Sequence, residues 1–310
     1  MTALVCGSMA YDTIMVFQDQ FKNHILPEQV HILNVSFLVP ELRREYGGCA
    51  GNIAYNLKLL GADPQPMATV GKDFEPYSQW LACCGISQTY IRIIEDAYTA
   101  QAYITTDMDD NQITAFHPGA MSSSHLNEIP RDAGIRIGIV APDGKDGMLQ
   151  HAQGFADAEI PFIFDPGQGM PMFDGEELMH LVDLARWVTL NDYEAQLMRE
   201  RTGMTLAELA RRVDALIVTK GGNGSEIHAD GMVHEIPSAR PERVLDPTGC
   251  GDAYRAGLIY ALAEDHDWPT VGRIASLMGA IKIETHGTQN HNFTMPAFRA
   301  RYRENFGTDF

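Results

Sequence analysis

The chain is poor in positive charge. It carries 23 Lys and Arg against 41 Asp and Glu, a net charge of -18 over 310 residues. Nucleic-acid binders leave a basic footprint, so no nucleic-acid partner is expected. Long apolar runs are also lacking. None approaches the roughly 20 residues of a membrane span, and no membrane association is expected. The opening Met-Thr-Ala-Leu-Val-Cys-Gly has no basic region ahead of a long apolar stretch, so no signal peptide is expected. Cysteine is scarce: Cys6, Cys49, Cys83, Cys84 and Cys250. The count is odd, and the spacing fits neither a zinc site nor a disulfide framework. Free thiols in a reducing cytoplasm are the simplest expectation. Internal repeats, low-complexity tracts and obvious linkers are missing too.

What is present is a core. Hydrophobic residues make up 45% of the chain, enough for one large α/β domain with an appendage or for two small domains. Short apolar runs at Leu4–Cys6, Ile135–Val140, Phe162–Phe164, Trp187–Leu190 and Leu216–Val218 read as central strands of a parallel sheet. Helical patterns lie between them. Asn52–Leu60 puts Ile53, Leu57 and Leu60 on one face and stops at Gly61, a C′ glycine. Glu176–Leu184 and Leu206–Val213 repeat the pattern. Alternating strand and helix predicts a doubly wound, mainly parallel α/β sheet flanked by helices.

Two stretches break that rhythm. Residues 11–46 hold β-rich pieces at Val30–Leu33 and Ser36–Val39. Residues 98–118 read as a hairpin, Gln101–Thr106 and Gln112–Phe116, turning through Asp109-Asp110-Asn111. Together they predict a small β lid formed by 11–46 and 98–118, over a larger α/β domain of 1–10, 47–97 and 119–310. Polar residues recur at strand ends: Ser8 and Asp12, then Asp143, Asp165, Asn191 and Lys220. Ligands of open α/β sheets bind outside those carboxyl ends.

The sharpest segment is Asp246-Pro247-Thr248-Gly249-Cys250-Gly251-Asp252-Ala253-Tyr254, ahead of an almost charge-free run to Leu262. Small residues at 249–251 before a buried helix can aim their amides at an anion, which the helix dipole also favours. Asp252 at the rim suits a base that takes a proton from a hydroxyl while the amides hold a transferred phosphoryl group.

That segment resembles the second signature of the PfkB, or ribokinase-like, carbohydrate kinases. Gly47-Gly48-Cys49-Ala50-Gly51-Asn52, leading into a helix, resembles the first. The resemblance runs from Gly7 to Gln289 with both motifs in the family's order. It implies an ATP-dependent phosphotransferase with an alcohol acceptor. Asp252 then looks like the catalytic base, and Gly249, Cys250 and Gly251 like the anion hole. Ser8, Asp12, Gly47, Gly48 and Asn52 look like the sugar-binding residues. Asn191-Asp192-Tyr193-Glu194 resembles the element that organises Mg²⁺ through water, with Glu194 as its carboxylate. Asn191, Thr219, Lys220, Gly221, Gly224 and Gly287 resemble the ATP-binding positions. Asp246 and Thr248 stand where many members hold a monovalent cation such as K⁺, although Pro247 departs from the pattern there. His286 and His291 do not have metal-site spacing.

Substrate identity rests on the lid. A sugar phosphate calls for several basic residues, and the lid segments offer only Lys22, Arg43 and Arg44. They are rich instead in aromatics suited to stacking on a base: Phe17, Phe21, Phe37, Tyr103 and Phe116. Phe116-His117-Pro118-Gly119-Ala120 and Gly287-Thr288-Gln289 look like bacterial adenosine kinases. The expected substrates are therefore adenosine and ATP, with AMP and ADP as products. The alternatives are another nucleoside such as inosine or guanosine, free ribose, or a non-catalytic nucleoside-binding regulator. A dinucleotide-binding dehydrogenase is set aside because only Gly7-Ser8-Met9-Ala10 follows the first strand. A lid sheet can stay a monomer's flap or pair edge to edge in a homodimer.

Overall fold

The structure, a computed structural model, describes residues 1–25, 34–109 and 111–310. Strand β1 (Thr2–Cys6) is buried on both faces and lies between parallel neighbours β4 (Asp63–Gly71) and β8 (Ile137–Val140). Beyond β4 comes β5 (Tyr90–Ile94). Beyond β8 come β9 (Phe162–Phe164), β10 (Trp187–Asn191) and β11 (Ala215–Thr219), all parallel. The antiparallel hairpin β12 (Ser225–Ala229) and β13 (Met232–Ile236) closes that edge. The order across the sheet is β13-β12-β11-β10-β9-β8-β1-β4-β5. The chain builds outward from β1 to β5 and then restarts at β8. The winding therefore reverses between β1 and β8, and a ligand crevice is expected at the carboxyl ends there.

Alternation along β1 divides the core. Ala3 and Val5 face a cluster with Ile53 of α1 (Cys49–Leu59), Leu81 of α2 (Glu75–Cys84), Leu258 of α7 (Cys250–Ala263), Ile274 of α8 (Trp268–Lys282) and Phe298 of α9 (Met295–Phe306). Leu4 and Cys6 face Met148 of α3 (Lys145–Asp157), Leu181 of α4 (Gly175–Leu184), Met198 of α5 (Asp192–Thr202) and Leu209 of α6 (Leu206–Ala210). Each fully buried Leu or Ile contributes about 1.5–3 kcal/mol. Helix α1 ends where expected, with Gly61 at φ 82° just beyond it. Helix α6 stops at Ala210, short of Val213.

Strand β4 was not anticipated, because Pro64 and Pro66 argue against a central strand. The register explains their tolerance. The Asp63 amide donates to Met1 O, and Met67 O accepts from the Gly7 amide, so the odd residues turn their backbone toward β1. The even residues, both prolines included, face the other side, where β5 joins only from Met67 onward. The missing N–H groups therefore break no ladder bond.

A second sheet runs β3-β2-β6-β7. Its strands are β2 (Ala10–Val16), β3 (Glu41–Gly47), β6 (Ala100–Thr106) and β7 (Gln112–His117). The expected hairpin is β6–β7, and the Asp107 carboxylate fastens its turn by accepting from the amides of Asp109 and Asn111. The other expected pieces fall elsewhere. Val30–Leu33 lies outside the described residues, and Ser36–Val39 is irregular. The strand is instead Glu41–Gly47, charged and exposed as suits a sheet edge.

Candidate active site

The site forms where β1, β8 and the small sheet meet the first turns of α1 and α7. The Ser8 hydroxyl accepts from the Cys49 amide at 3.2 Å, and Ser8 O accepts from the Ala50 amide at 2.9 Å. Ser8, expected at the sugar, thus pins the start of α1 to the end of β1. Gly48 sits at φ 84°, and a Cβ there would lie 2.6 Å from both Met9 Cα and Ser8 O. Only glycine lets the chain pass from the small sheet into α1 at this point. A Cβ on Gly47 would come within 2.4 Å of Asp12 Oδ2, so that glycine makes room for a carboxylate. Burial pushes the Asp12 carboxyl up to about 6, helped by the charges of Asp252 and Glu45.

Asp252 occupies the first turn of α7. Burial pushes its carboxyl up to about 6, while a hydrogen bond from Asn52 and the nearby Arg255 charge pull it down. Asn52 Nδ2 donates to Asp252 Oδ2 at 2.8 Å. Asn52 Oδ1 accepts from Gln289 Nε2 at 3.0 Å, and the same nitrogen donates to the Tyr77 hydroxyl at 2.7 Å. Tyr77 in turn donates to Gly47 O at 2.9 Å, and Trp80 Nε1 donates to Gln289 Oε1 at 2.9 Å. Both ends of the Asn52 amide are therefore engaged. Asn52, expected at the sugar, also contacts the Asp252 carboxylate, in a network that reaches the Gly47 turn.

The anion cradle differs from expectation by one residue. Gly249 caps α7 at φ 77°, as anticipated for a glycine turn. The Cys250 amide, however, donates to Pro247 O at 3.1 Å and is not free. Of residues 249–252, the amides of Gly249, Gly251 and Asp252 have no protein acceptor. The Cys250 thiol is pushed up to about 11 by burial and is a poor nucleophile at neutral pH.

Asp165 and Arg255 lie close to the cradle. Arg255 Nε and Nη2 donate to Asp165 Oδ2 and Oδ1 at 2.9 and 3.1 Å, both side chains being buried, with Glu194 Oε2 at 3.9 Å from Arg255. This places a positive charge one turn beyond Asp252 and offsets a group of buried carboxylates. Sequence reasoning passed over Arg255. The available signal was the one charge in the otherwise charge-free run after Asp252.

The expected nucleotide side is partly assembled. Asn191 and Glu194 form a capping box: the Glu194 amide donates to Asn191 Oδ1 at 2.7 Å, and Glu194 Oε2 accepts from the Asn191 amide at 2.8 Å. Burial raises the Glu194 carboxyl above its ordinary range. Among the described residues no three His, Cys, Asp or Glu side chains gather as a metal cage. The other Glu194 oxygen, Oε1, accepts from Asn191 Nδ2 at 2.8 Å; each carboxylate oxygen keeps a lone pair, which fits a Mg²⁺ that arrives on phosphates and meets the protein through its own waters. Thr219 Oγ1 donates to Leu190 O at 3.4 Å, and Lys220 is ion-paired with Glu226. Gly221 has φ 54° and open space beside it. Gly224 has φ 85°, and a Cβ there would strike Ile236 O, so it serves the β12 turn. Asp143, at the end of β8, is pushed up to about 8 by burial.

The segment expected to hold a monovalent cation does not fit one. Asp246 Oδ1 accepts from the Thr248 amide and Oδ2 from the Gly287 amide, both at 2.9 Å. Burial opposes the charged form, but these bonds hold the Asp246 carboxyl below its ordinary range. Asp246 O and Thr285 O accept from Lys282 Nζ at 2.8 and 3.2 Å. Gly287, at φ 78°, packs against Asn290 and Glu45, and Thr288 Oγ1 donates to Tyr46 O at 2.6 Å. His291 is no ligand. It bonds Asn56 at 2.7 Å, and burial lowers it to about 4.

The lid aromatics separate into two groups. Phe17, Phe21 and Phe37 cluster with ring centroids 4.8–5.9 Å apart, Phe17 and Phe21 stacked and Phe37 tilted against both. Register puts Asp12, Ala102 and Phe116 on one face of the sheet, with Ile14 and Ile104 beside them. Tyr103 lies on the other face with Tyr11 and Arg44, whose guanidinium stacks 3.7 Å over the Tyr11 ring. Phe116 is 52% exposed.

A buried carboxylate, free amides at a helix start and an α/β crevice make up a phosphotransferase site of the ribokinase-like kind. Residues 9–295 match the pfkB family of carbohydrate kinases, and the chain belongs to that family: it is an ATP-dependent kinase that phosphorylates a hydroxyl group. The structure of Burkholderia thailandensis nucleoside kinase in complex with inosine superposes with a TM-score of 0.90, at 50% identity and 99% coverage of both chains. The nucleoside kinase of Methanocaldococcus jannaschii is 33% identical over 83% of this chain and 85% of its own length. Its structure superposes with a TM-score of 0.89, covering 98% of each chain. That of Methanothermobacter thermautotrophicus is 31% identical over 93% of this chain and 91% of its own.

Proposed function

We propose that the chain is a nucleoside kinase that moves the γ-phosphoryl of ATP to the ribose 5′-hydroxyl of a purine nucleoside, with adenosine the first candidate and inosine the second. The observation that carries this is the Asp12 face of the small sheet. Next to the carboxylate it offers Ile14, Ala102, Ile104 and the exposed Phe116 ring. That surface suits a flat base. It suits a sugar phosphate less well: Arg44 is stacked on Tyr11 on the opposite face, and the one arginine on the Asp12 face, Arg43 opposite Ile14, lies 3.9 Å from the Glu45 carboxylate. The related nucleoside kinases support the same reading.

In this reading residues 11–46 and 98–118 form a lid on the body made by the rest of the chain. Asp12 accepts from the ribose diol, in the room left by Gly47 and beside the Gly48 turn. Asn52, held by Gln289, keeps Asp252 aimed at the 5′-hydroxyl. Asp252 takes the proton as that oxygen attacks the γ-phosphorus, and the amides of Gly249, Gly251 and Asp252 receive the spreading negative charge. ATP lies over Asn191, Thr219, Lys220, Gly221 and Gly287, with Glu194 facing the waters of its Mg²⁺, which supplies charge neutralisation on the phosphates. Lid closure excludes water and so protects ATP from hydrolysis. The five free thiols suit a reducing cytoplasm.

The test is ADP release from Mg-ATP with adenosine, inosine, guanosine, ribose and fructose 6-phosphate. Purine nucleosides should exceed ribose in kcat/KM by ~100-fold or more, the discrimination that a buried apolar base contact of roughly 3 kcal/mol confers. A sugar winning the panel refutes the nucleoside assignment and leaves the kinase chemistry standing.

A further inference from the structure

We propose that Lys282 is a built-in cation in the loop behind the anion cradle, and that phosphoryl transfer by this chain therefore needs no K⁺. Lys282 closes helix α8 and is 0% exposed. Its ammonium reaches the main-chain oxygens of Asp246 and Thr285. The Asp246 carboxylate is the nearby counter-charge, and its two oxygens are taken by the amides of Thr248 and Gly287. Two carbonyls and a carboxylate drawn from two turns are the donor set that a monovalent cation would use. Here the two carbonyls already hold a fixed positive charge, and the carboxylate acts on it through space rather than by direct contact.

The chemistry is consistent at each level. An ammonium and K⁺ are alike in charge and close in size, and both satisfy converging carbonyl oxygens. A buried lysine without partners would shed its proton. Burial does pull Lys282 down, while Asp246 works in the opposite direction. The end of a helix also favours a cation, because the last carbonyls carry partial negative charge. The loop matters to catalysis because residues 246–248 lead directly into Gly249, the αL residue that starts the cradle. The same turns reach the lid: Thr288 bonds Tyr46 O, and Asn290 bonds Glu45. A mobile ion there would make cradle geometry depend on salt, whereas a tethered one fixes it.

The inference rests on the kinase reading of residues 249–252, and the experiment separates the two. Wild-type kcat and KM are measured in potassium chloride and in tetramethylammonium chloride at equal ionic strength, with thermal unfolding followed in the same buffers. Activity and Tm should be the same in both salts. Activation by K⁺ of more than ~5-fold, the lower end of ordinary effector coupling, overturns the proposal. Lys282→Ser opens space for an ion. Its Tm and activity should fall in tetramethylammonium and recover with K⁺, and Tl⁺ soaked into its crystals should scatter between Asp246 O and Thr285 O. Lys282→Met keeps the bulk without the charge, so it should stay impaired in both salts. A Lys282→Met enzyme as active as wild type in both salts also overturns the proposal. If the serine variant does not fold, the wild-type salt comparison still decides. If no nucleoside is phosphorylated in either salt, the substrate reading fails, while the Tm comparison and the Tl⁺ position still judge Lys282.

Discussion

Replacing Asp252 with asparagine should raise stability and abolish most activity in one step. The reasoning starts from the folded-state carboxyl, which burial raises from 3.8 to about 6. A raised carboxyl means that the fold prefers the neutral form. Its contribution to stability is present in full below pH 3.8 and is lost as pH rises through about 6. The full loss is about 3 kcal/mol, an upper bound for one site. Asparagine keeps an oxygen to accept from Asn52 Nδ2 but carries no charge, so it escapes that loss. At about pH 8 the variant should melt several degrees above wild type, at ~2–4 °C per kcal/mol, and the gap should close toward about pH 4. Activity should fall by ~10²–10⁴, the ordinary contribution of a general base. Thermal unfolding across pH and ADP release at saturating ATP measure both. Wild-type activity should also decline as pH falls through about 6. Asp12, pushed to the same region partly by the Asp252 charge, titrates with it, so the apparent value belongs to the pair. A variant within tenfold of wild-type activity refutes the base. A variant less stable than wild type at about pH 8 refutes the electrostatic argument.

Two further substitutions test the frame around that base. Gly48→Ala places a Cβ against Met9 Cα, Ser8 O and Ala10 N at φ 84°, so it should cost at least ~2 kcal/mol in chemical denaturation; a loss below ~0.5 kcal/mol contradicts the close approach. Gln289→Leu leaves Asn52 Oδ1 and Trp80 Nε1 without a protein partner, so kcat should fall ~10–100-fold with little change in the KM for ATP; an unchanged kcat means that the network does not orient Asp252.

The parts of the fold legible in the sequence are those decided locally. Strands β1 and β8 to β11 are apolar on both faces, and the glycines at 48 and 249 stand where a positive φ is needed. Strand β4 was hidden because a proline's effect depends on which side its missing N–H faces, and that is set by the neighbouring strand. Strand β3 was hidden by its charges, which mark an edge only once the sheet is assembled. At the site the residue types were legible but their partners were not. Asn52 and Asp252 are 200 positions apart, and Gln289 stands 237 from Asn52. Lys282 reads in isolation as a helix-end lysine, and only the carbonyls folded around it give it another role.

Those separations also bear on how the protein is made. The bonds around Asp252 and helix α1 join opposite ends of the chain: Asn52, Tyr77 and Trp80 with Gln289, Tyr46 with Thr288, and Asn56 with His291. A ribosome releases the earlier partners long before the later ones exist. Helix α1 can dock on β1 and β4 during synthesis, but Asn52 Oδ1 and Asn56 Oδ1 find their partners, Gln289 and His291, only when the last stretch of the chain emerges. Contacts of such span form late, after loop closure has been paid for in entropy. The geometry around Asp252 is thus completed at the final stage of folding, and a nascent or truncated chain lacking residues 285–291 has the sheet without the Gln289 bond to Asn52 and without the Thr285 and Gly287 bonds behind the cradle.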